Sequence, residues 1–397
     1  MNAKFNFLRK LTSATLLFVS VAFFVLLSAC NDGTIKIITD LSGEADILYP
    51  EVREYLSAEN ETEEVQSLLR VKSAKGGYYG QTFCVSWESD GGYEYTVYLS
   101  EFSDLRNAER ISARDTTADL GGALIPGKKY YIKISGKNKS SRVQSFNVKN
   151  APVRPINAQG ADNIRDLGGW QTSNGVVSYG KIFRGGRIND GNAPTLTESG
   201  LYVMNERLGI KSEIDLRGTD DGGQTKSILG DEVKYLKAGF TGYSYIIPEF
   251  ENYGAYKRSY AQGSTEAIKS IFSFLADEKN YPVYFHCNAG ADRTATLALL
   301  IEAAVGVDEK DIVRDFELTS FSEYGARYRG KIENGKFVNG VMQDNEDNFV
   351  ALGLFIDDLK KYYGGGGTLN DAAKNYLLSA CGVTEKEMQS LRSILIG

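Results

Sequence analysis

The chain of 397 residues carries one histidine, His286, and four cysteines. A single imidazole cannot build a multi-histidine metal centre, and no metal or other cofactor is expected. Cysteines at positions 30, 84, 287 and 381 are too few and too far apart for a disulfide framework. Basic residues are outnumbered 45 to 51, for a net charge of −6, so nucleic acid is excluded as the partner class. Long apolar runs are also scarce. Beyond Leu11 to Leu27, no stretch is long and apolar enough to span a bilayer.

That one run has a specific context. Lys4, Arg9 and Lys10 precede it, and Leu27-Ser28-Ala29-Cys30 ends it. A positive segment, an apolar segment and small residues before a cysteine form a lipoprotein signal, so residues 1–29 read as a leader. Cys30 is then the lipidated, palmitate-bearing N-terminus. The expected location is the bacterial cell envelope, outside the cytoplasm, with the acyl group as the membrane tether. Losing the three leader cations moves the net charge from −6 to −9, so general attraction to anionic lipid is not expected. Of the remaining cysteines, Cys84 and Cys381 are expected to be small buried hydrophobes.

Residues 30–64 read as a tether and residues 65–150 as a β-rich block. Phe83 to Trp87 and Tyr93 to Leu99 alternate apolar with polar residues, and Tyr130 to Ile134 and Phe146 to Val148 follow. Leu124-Ile-Pro-Gly-Lys-Lys-Tyr130 resembles the corner before a late strand of fibronectin type III domains. That implies an all-β sandwich of the fibronectin or immunoglobulin type, with Trp87 in its core. The block shows no catalytic constellation and reads as a spacer by default, or else as a protein- or glycan-facing module. Ala151-Pro-Val-Arg-Pro155 reads as a stiff linker to a catalytic domain over residues 151–397.

Chemistry concentrates in His286-Cys287-Asn288-Ala289-Gly290-Ala291-Asp292-Arg293-Thr294. Tyr281 to His286 reads as a short buried strand and Thr294 to Val305 as a helix apolar nearly all round. The motif is therefore a strand, a tight loop and a helix N-terminus, where amides and the helix dipole converge on an anion. Cys287 beside a guanidinium at such a terminus is favoured as a thiolate, a nucleophile able to form phosphocysteine. Arg293 offers the planar fork for two phosphoryl oxygens. Gly290 lets the backbone turn its amides inward. The cradle spans residues 288–293. Thr294 offers a hydroxyl to the departing sulfur, and His286 orients the loop. Strands at Val176–Val177, Ile182–Phe183, 211–216 and 233–236, with a helix over 265–276, imply a parallel sheet flanked by helices.

These residues resemble the bacterial tyrosine-phosphatase family, whose loop reads His-Cys-x-Ala-Gly-Lys-Asp-Arg-Thr. Asn163-Ile-Arg-Asp-Leu-Gly-Gly169, Lys181-Ile-Phe-Arg184, Ile214-Asp-Leu-Arg217 and Ile312 to Thr319 are similar to further segments of that family, in the same order. The resemblance covers about residues 153–397. It implies an α/β cysteine-phosphatase fold and a protein-tyrosine or dual-specificity phosphatase acting on phosphorylated proteins or small phosphate esters. Ala291 stands where the family has Lys, which removes charge that would favour phosphoinositides. No Trp-Pro-Asp stretch supplies a mobile-loop acid. In relatives of this type a loop Asp is a candidate general acid, so the resemblance implies Asp292 as the first candidate, with Asp215 at a strand end the second and the Asp220-Asp221 pair the third. Arg165 and Asp166 are expected as a buried pair stapling the N-terminal segment, with substrate contact as the other reading. Arg184 and Arg187 either add positive potential near the pocket or are surface charges. Tyr243, Tyr245, Tyr253, Tyr256 and Tyr260 crowd one segment, as cleft lining or amphipathic surface. The alternatives in function are an inositol-phosphate or phytate phosphatase of the same fold, and a catalytically weak phosphate-binding protein. A rhodanese-type sulfurtransferase fits Gly290, Arg293 and Thr294 less well.

Overall fold

The computed structural model describes residues 35–72, 82–89, 94–191, 193–218, 225–250, 255–323, 327, 330–339 and 348–397. The leader, Cys30, the Asp220-Asp221 pair and Tyr253 lie outside them, as do the side chains of Tyr256 and Tyr260. No helix among the described residues is long and apolar enough to cross a membrane. The chain divides into two compact units, the first drawing on residues up to Ser42, Cys84–Ala118 and Tyr130–Phe146, the second on Gly43–Phe83, Asp119–Lys129 and Asn147–Gly397.

The first unit is built of strands, some of which run a residue or two past its bounds. Lys36–Ile37, Cys84–Glu88 and Thr117–Asp119 form one sheet in that order, and Gln144–Val148, Lys129–Gly136, Tyr95–Ser100 and Glu109–Ala113 are successive neighbours in another. Alternation sends Tyr95, Val97 and Leu99, with Ile132 and Ile134, to a buried face. Trp87 is buried and meets Tyr95 edge-on at 5.2 Å between ring centroids. The same alternation corrects the expectation for Cys84. With Val85 and Trp87 pointing inward, Cys84 falls on the opposite face and is exposed, while Cys381 is buried as expected.

In the second unit six strands form one sheet: β1 (Arg154–Pro155), β2 (Arg165–Asp166), β3 (Ile182–Gly185), β4 (Ser212–Asp215), β5 (Lys234–Lys237) and β6 (Val283–His286). Their order is β1-β2-β3-β6-β4-β5. The four strands β3, β6, β4 and β5 run parallel, whereas β1–β2 and β2–β3 are antiparallel, so the sheet is mixed rather than wholly parallel. The segments joining β1, β2 and β3 have no crossover helix and fold straight back, which gives antiparallel pairing.

Residues 50–72, expected as tether and first β segment, instead form α1 (Pro50–Ser57) and α2 (Glu61–Lys72). Pro at the start of α1 and acidic residues in the first turn of each are ordinary helix openers. Narrow stripes of Val52 with Tyr55, and of Val65 with Leu68, are buried. The pair docks on α5 (Glu309–Glu317): Tyr55 Oη donates to Glu317 Oε2 at 2.6 Å, and Arg314 pairs with the buried Glu64 at 2.7 Å. Gly43–Phe83 thus falls in the same compact unit as the Cys loop.

The helix expected over 265–276 is the C-terminal half of α3 (Ala255–Leu275), with Ile268, Ile271, Phe272 and Leu275 buried as one face. Helix α4 (Arg293–Val305) is buried at every residue after the first. Leu297, Leu299, Leu300 and Ile301 alone contribute on the order of 1.5–3 kcal/mol each. It packs against α5, α7 (Leu369–Ser379) and α8 (Glu385–Leu395); α6 (Asn348–Tyr363) packs on α7. This central helix and β6 hold the Cys loop between them, at the carboxyl end of a sheet-interior strand.

Candidate active site

The site begins at the end of β6, where all four residues are buried. His286 is fully buried and stacked on Tyr284 at 5.4 Å between centroids. Its Nε2 lies 2.9 Å from Glu213 Oε1, and its Nδ1 lies 3.0 Å from the carbonyl oxygen of Cys287. Glu213, on the neighbouring β4, also accepts from Ser227 Oγ. Both ring nitrogens are thus occupied in fixing where the loop leaves the strand.

From Cys287 the chain turns through Gly290, whose φ is +68°. A Cβ there would lie 2.4 Å from the carbonyl carbon of Gly185 and 2.6 Å from the nitrogen of Gly186. Only glycine combines that close approach with a left-handed backbone. The loop's carbonyls are tied outward. The oxygen of Asn288 accepts from the Arg187 amide at 2.9 Å, and that of Ala289 from Asn163 Nδ2 at 3.2 Å. The oxygen of Gly290 accepts from Asn163 Nδ2 at 3.1 Å and Arg184 Nη2 at 2.8 Å. Among the described residues the amides of Asn288 to Asp292 have no hydrogen-bond partner. A loop with its carbonyls engaged outside and its amides unengaged, leading into the N-terminus of a buried helix, is a cradle for an anion. Cys287 lies at its start, 3% exposed. Arg293 is half-buried as the first residue of α4. Thr294 is fully buried, and its Oγ1 has no partner among the described residues.

Behind the loop lies a buried ionic network. Arg165 Nε donates to Asp315 Oδ1 at 2.7 Å, Arg165 Nη1 donates to Asn163 Oδ1 at 2.8 Å, and Arg184 Nη1 donates to Asp315 Oδ2. Burial acts to raise the Asp315 carboxyl, but the charges of Arg165 and Arg184 outweigh it and hold the group below its ordinary value. Two routes connect this carboxylate to the loop: Asp315–Arg165–Asn163 to the oxygens of Ala289 and Gly290, and Asp315–Arg184 to the oxygen of Gly290. Nearby in the same field, Glu302 of α4 is buried with neither oxygen partnered among the described residues. Burial, reinforced by the charge of Asp315, pushes its carboxyl well above the ordinary range.

These contacts correct several expectations. Arg165 and Asp166 do not pair with each other. Adjacent residues on a strand face opposite ways, so Arg165 turns to Asp315 while Asp166 pairs with Arg154 at 3.2 Å. The staple is real, its partners are different, and Arg165 is enclosed in it rather than turned to substrate. Arg184 is a fully buried member of the same network, not a surface charge. Asp215 is fully buried and accepts from Arg217 Nε and Nη2, both at 2.8 Å, from Tyr235 Oη at 2.9 Å and from Lys237 Nζ at 3.1 Å. Burial opposes ionisation there, but the bonds and charge of Arg217 prevail and keep the carboxyl well below the carboxylate range. It is an acceptor locked in the sheet and has no proton to give. Asp292, by contrast, is half-exposed at the start of α4. Ala291 beside it is fully buried.

Sequence reading missed Asn163, Glu213, Glu302 and Asp315 as parts of the site. Asn163 and Asp315 lie inside segments already singled out, Asn163 to Gly169 and Ile312 to Thr319, so a signal was present for both. Nothing local marks Glu213 or Glu302.

Residues 156–397 match the tyrosine phosphatase family. Over 207 residues the chain is 27% identical to a tyrosine-protein phosphatase of Nostoc commune, covering 47% of this chain and 66% of that protein. Over 172 residues it is 24% identical to a putative tyrosine-protein phosphatase of Cupriavidus necator, covering 39% of this chain and 59% of that protein. The chain thus spans about six-tenths to two-thirds of the length of these relatives. A solved structure it is similar to is the core catalytic domain of the PP-IP phosphatase SIW14 from S. cerevisiae, at 16% identity and a TM-score of 0.25, covering 37% of this chain and 77% of that one. With the family match extending over more than half of its length, the chain belongs to the tyrosine phosphatase family.

Proposed function

We propose that the protein is a cysteine-dependent phosphomonoesterase, a protein-tyrosine or dual-specificity phosphatase working through phosphocysteine. The observation that carries this reading is the set of unengaged amides from Asn288 to Asp292 beside Cys287. Those amides and the Arg293 guanidinium bind the equatorial phosphoryl oxygens. The Cys287 sulfur attacks phosphorus, the S–P bond forms and the P–O bond to the leaving group breaks. Asp292 gives its proton to the leaving oxygen, since Asp215 has none to give. In the second step water attacks phosphorus, Asp292 takes its proton, and Thr294 donates its unpartnered hydroxyl to the departing sulfur.

Ala291, a buried methyl where a lysine would stand, adds no charge for a second phosphate, which favours phosphoproteins and simple esters over inositol polyphosphates. The sequence leader supports an envelope location with Cys30 acylated. The two sheets of the N-terminal unit support a fibronectin type III-like spacer. The activity test is hydrolysis of p-nitrophenyl phosphate by the purified full-length protein without added metal. Turnover blocked by vanadate and abolished in Cys287→Ser is expected; full turnover in Cys287→Ser would overturn the reading. Palmitate labelling lost in Cys30→Ala tests the anchor.

A further inference from the structure

Tyr243 was only one of five crowded tyrosines in the sequence, but its position in the fold is singular. It opens the short helix Tyr243–Ile246 with φ +58°. A bulky aromatic residue seldom adopts the left-handed region, and such a conformation costs on the order of 1–3 kcal/mol unless its surroundings enforce it. Two bonds do so here. The Tyr243 amide donates to Thr296 Oγ1 at 2.9 Å, and Thr296 Oγ1 in turn donates to the carbonyl oxygen of Asp292 at 3.0 Å. The phenol Oη donates to Asp292 Oδ1 at 2.7 Å. The ring is buried, and that burial, with the Asp292 charge, drives the phenol well above its ordinary range, so it remains a donor throughout the working pH range. On the same carboxyl oxygen, Arg327 Nε stands 3.5 Å away. Both contacts fall on Oδ1, and Oδ2 has no partner among the described residues.

We propose that Tyr243 is the positioning residue of the general acid. By occupying Oδ1 from one side while Arg327 approaches it, Tyr243 restricts the acid proton to Oδ2 and aims Oδ2 at the leaving group. In the first step the S–P bond forms, the P–O bond breaks, and the proton on Oδ2 passes to the leaving oxygen. Oδ2 becomes the carboxylate's free oxygen, ready to take a proton from the attacking water. The backbone strain at Tyr243 is the cost of bringing a phenol to that point, and the Thr296 contact fixes the phenol to the same helix turn as the acid. This assignment rests on Asp292 being the acid.

The test is a leaving-group comparison, which a merely structural role would not move. kcat/KM for p-nitrophenyl phosphate and for phenyl phosphate is measured in the full-length wild type, Tyr243→Phe, Arg327→Gln and Asp292→Asn, with thermal melts run alongside. A good leaving group needs little protonation and a poor one needs much. Tyr243→Phe is expected to lose about tenfold on phenyl phosphate and less than about twofold on p-nitrophenyl phosphate, the loss of one hydrogen bond to the acid. Asp292→Asn should lose more, with the same dependence on the leaving group. Equal losses of Tyr243→Phe on both esters, with Asp292→Asn selective, overturn the positioning role alone. An Asp292→Asn protein without selectivity overturns the acid assignment itself. If Tyr243→Phe does not fold, Arg327→Gln decides: an unselective loss there, or none, contradicts the shared hold on Oδ1.

Discussion

Substituting Gly290 with alanine tests the loop geometry at its tightest point. The new Cβ would lie 2.4 Å from the Gly185 carbonyl carbon and 2.5 Å from its oxygen, where ordinary contact begins at 3.4 Å. The loop must therefore withdraw from β3 by about 1 Å, the difference between contact and clash. A non-glycine residue at φ +68° adds roughly 1–2 kcal/mol of backbone cost. Overpacking against rigid backbone adds about 1–3 kcal/mol, so a total near 2–5 kcal/mol is expected. Withdrawal also stretches the 2.8 Å bond from Arg184 and the 3.1 Å bond from Asn163 to the Gly290 oxygen. These are the bonds that keep the amides facing inward. A displacement of that size between nucleophile and phosphorus lowers kcat/KM by about a hundredfold. Urea unfolding and p-nitrophenyl phosphate turnover are the two assays. A Gly290→Ala protein with wild-type stability and wild-type kcat/KM would refute the close packing of loop on strand.

Two further predictions concern the buried charges. Asp315→Asn removes the carboxylate that Arg165 and Arg184 share, and a loss of about 3–5 kcal/mol in urea unfolding is expected; a loss below about 1 kcal/mol would contradict the network. Glu302 gives a pH signature. Its folded-state carboxyl is raised, so the folded chain holds a proton that the unfolded chain releases above the ordinary 4.5. Its contribution is present below that pH and is lost as pH rises toward the raised value. Asp315 has the opposite sign: it is held low, and its contribution disappears only as pH falls below its ordinary 3.8. Thermal melts of wild type should therefore decline from about pH 5 upward as the unfolded chain releases the Glu302 proton, and Glu302→Gln should flatten that decline. Identical profiles for the two proteins would sink the assignment.

What was legible in the sequence was what is local. Strand, loop and helix around Cys287 are contiguous, so their chemistry and their structure coincide in one stretch. Period-two alternation marks the strands of the first unit, and the same register puts Cys84 on the exposed face, against the burial its residue type suggests. Tertiary pairing was not legible. Asp315 is 150 residues from Arg165 in sequence, and nothing near either names the other. The antiparallel edge was missed because β1 and β2 are two residues each, too short to show a period. Helices α1 and α2 were hidden by their charge, since each buries only a narrow stripe. The first half of α3 was obscured by Gly263 and by Ser264-Thr265, which imitate a break followed by a cap. Strain at Tyr243 has no sequence signature, because a tyrosine there contradicts its own backbone preference.

The most direct test of the phosphocysteine mechanism is rapid acid quench of the full-length protein during turnover, followed by mass spectrometry of its peptides. A phosphoryl group on the peptide containing Cys287, absent in Cys287→Ser, is the expected result. A phosphoryl group on another residue, or turnover that persists in Cys287→Ser, would contradict it.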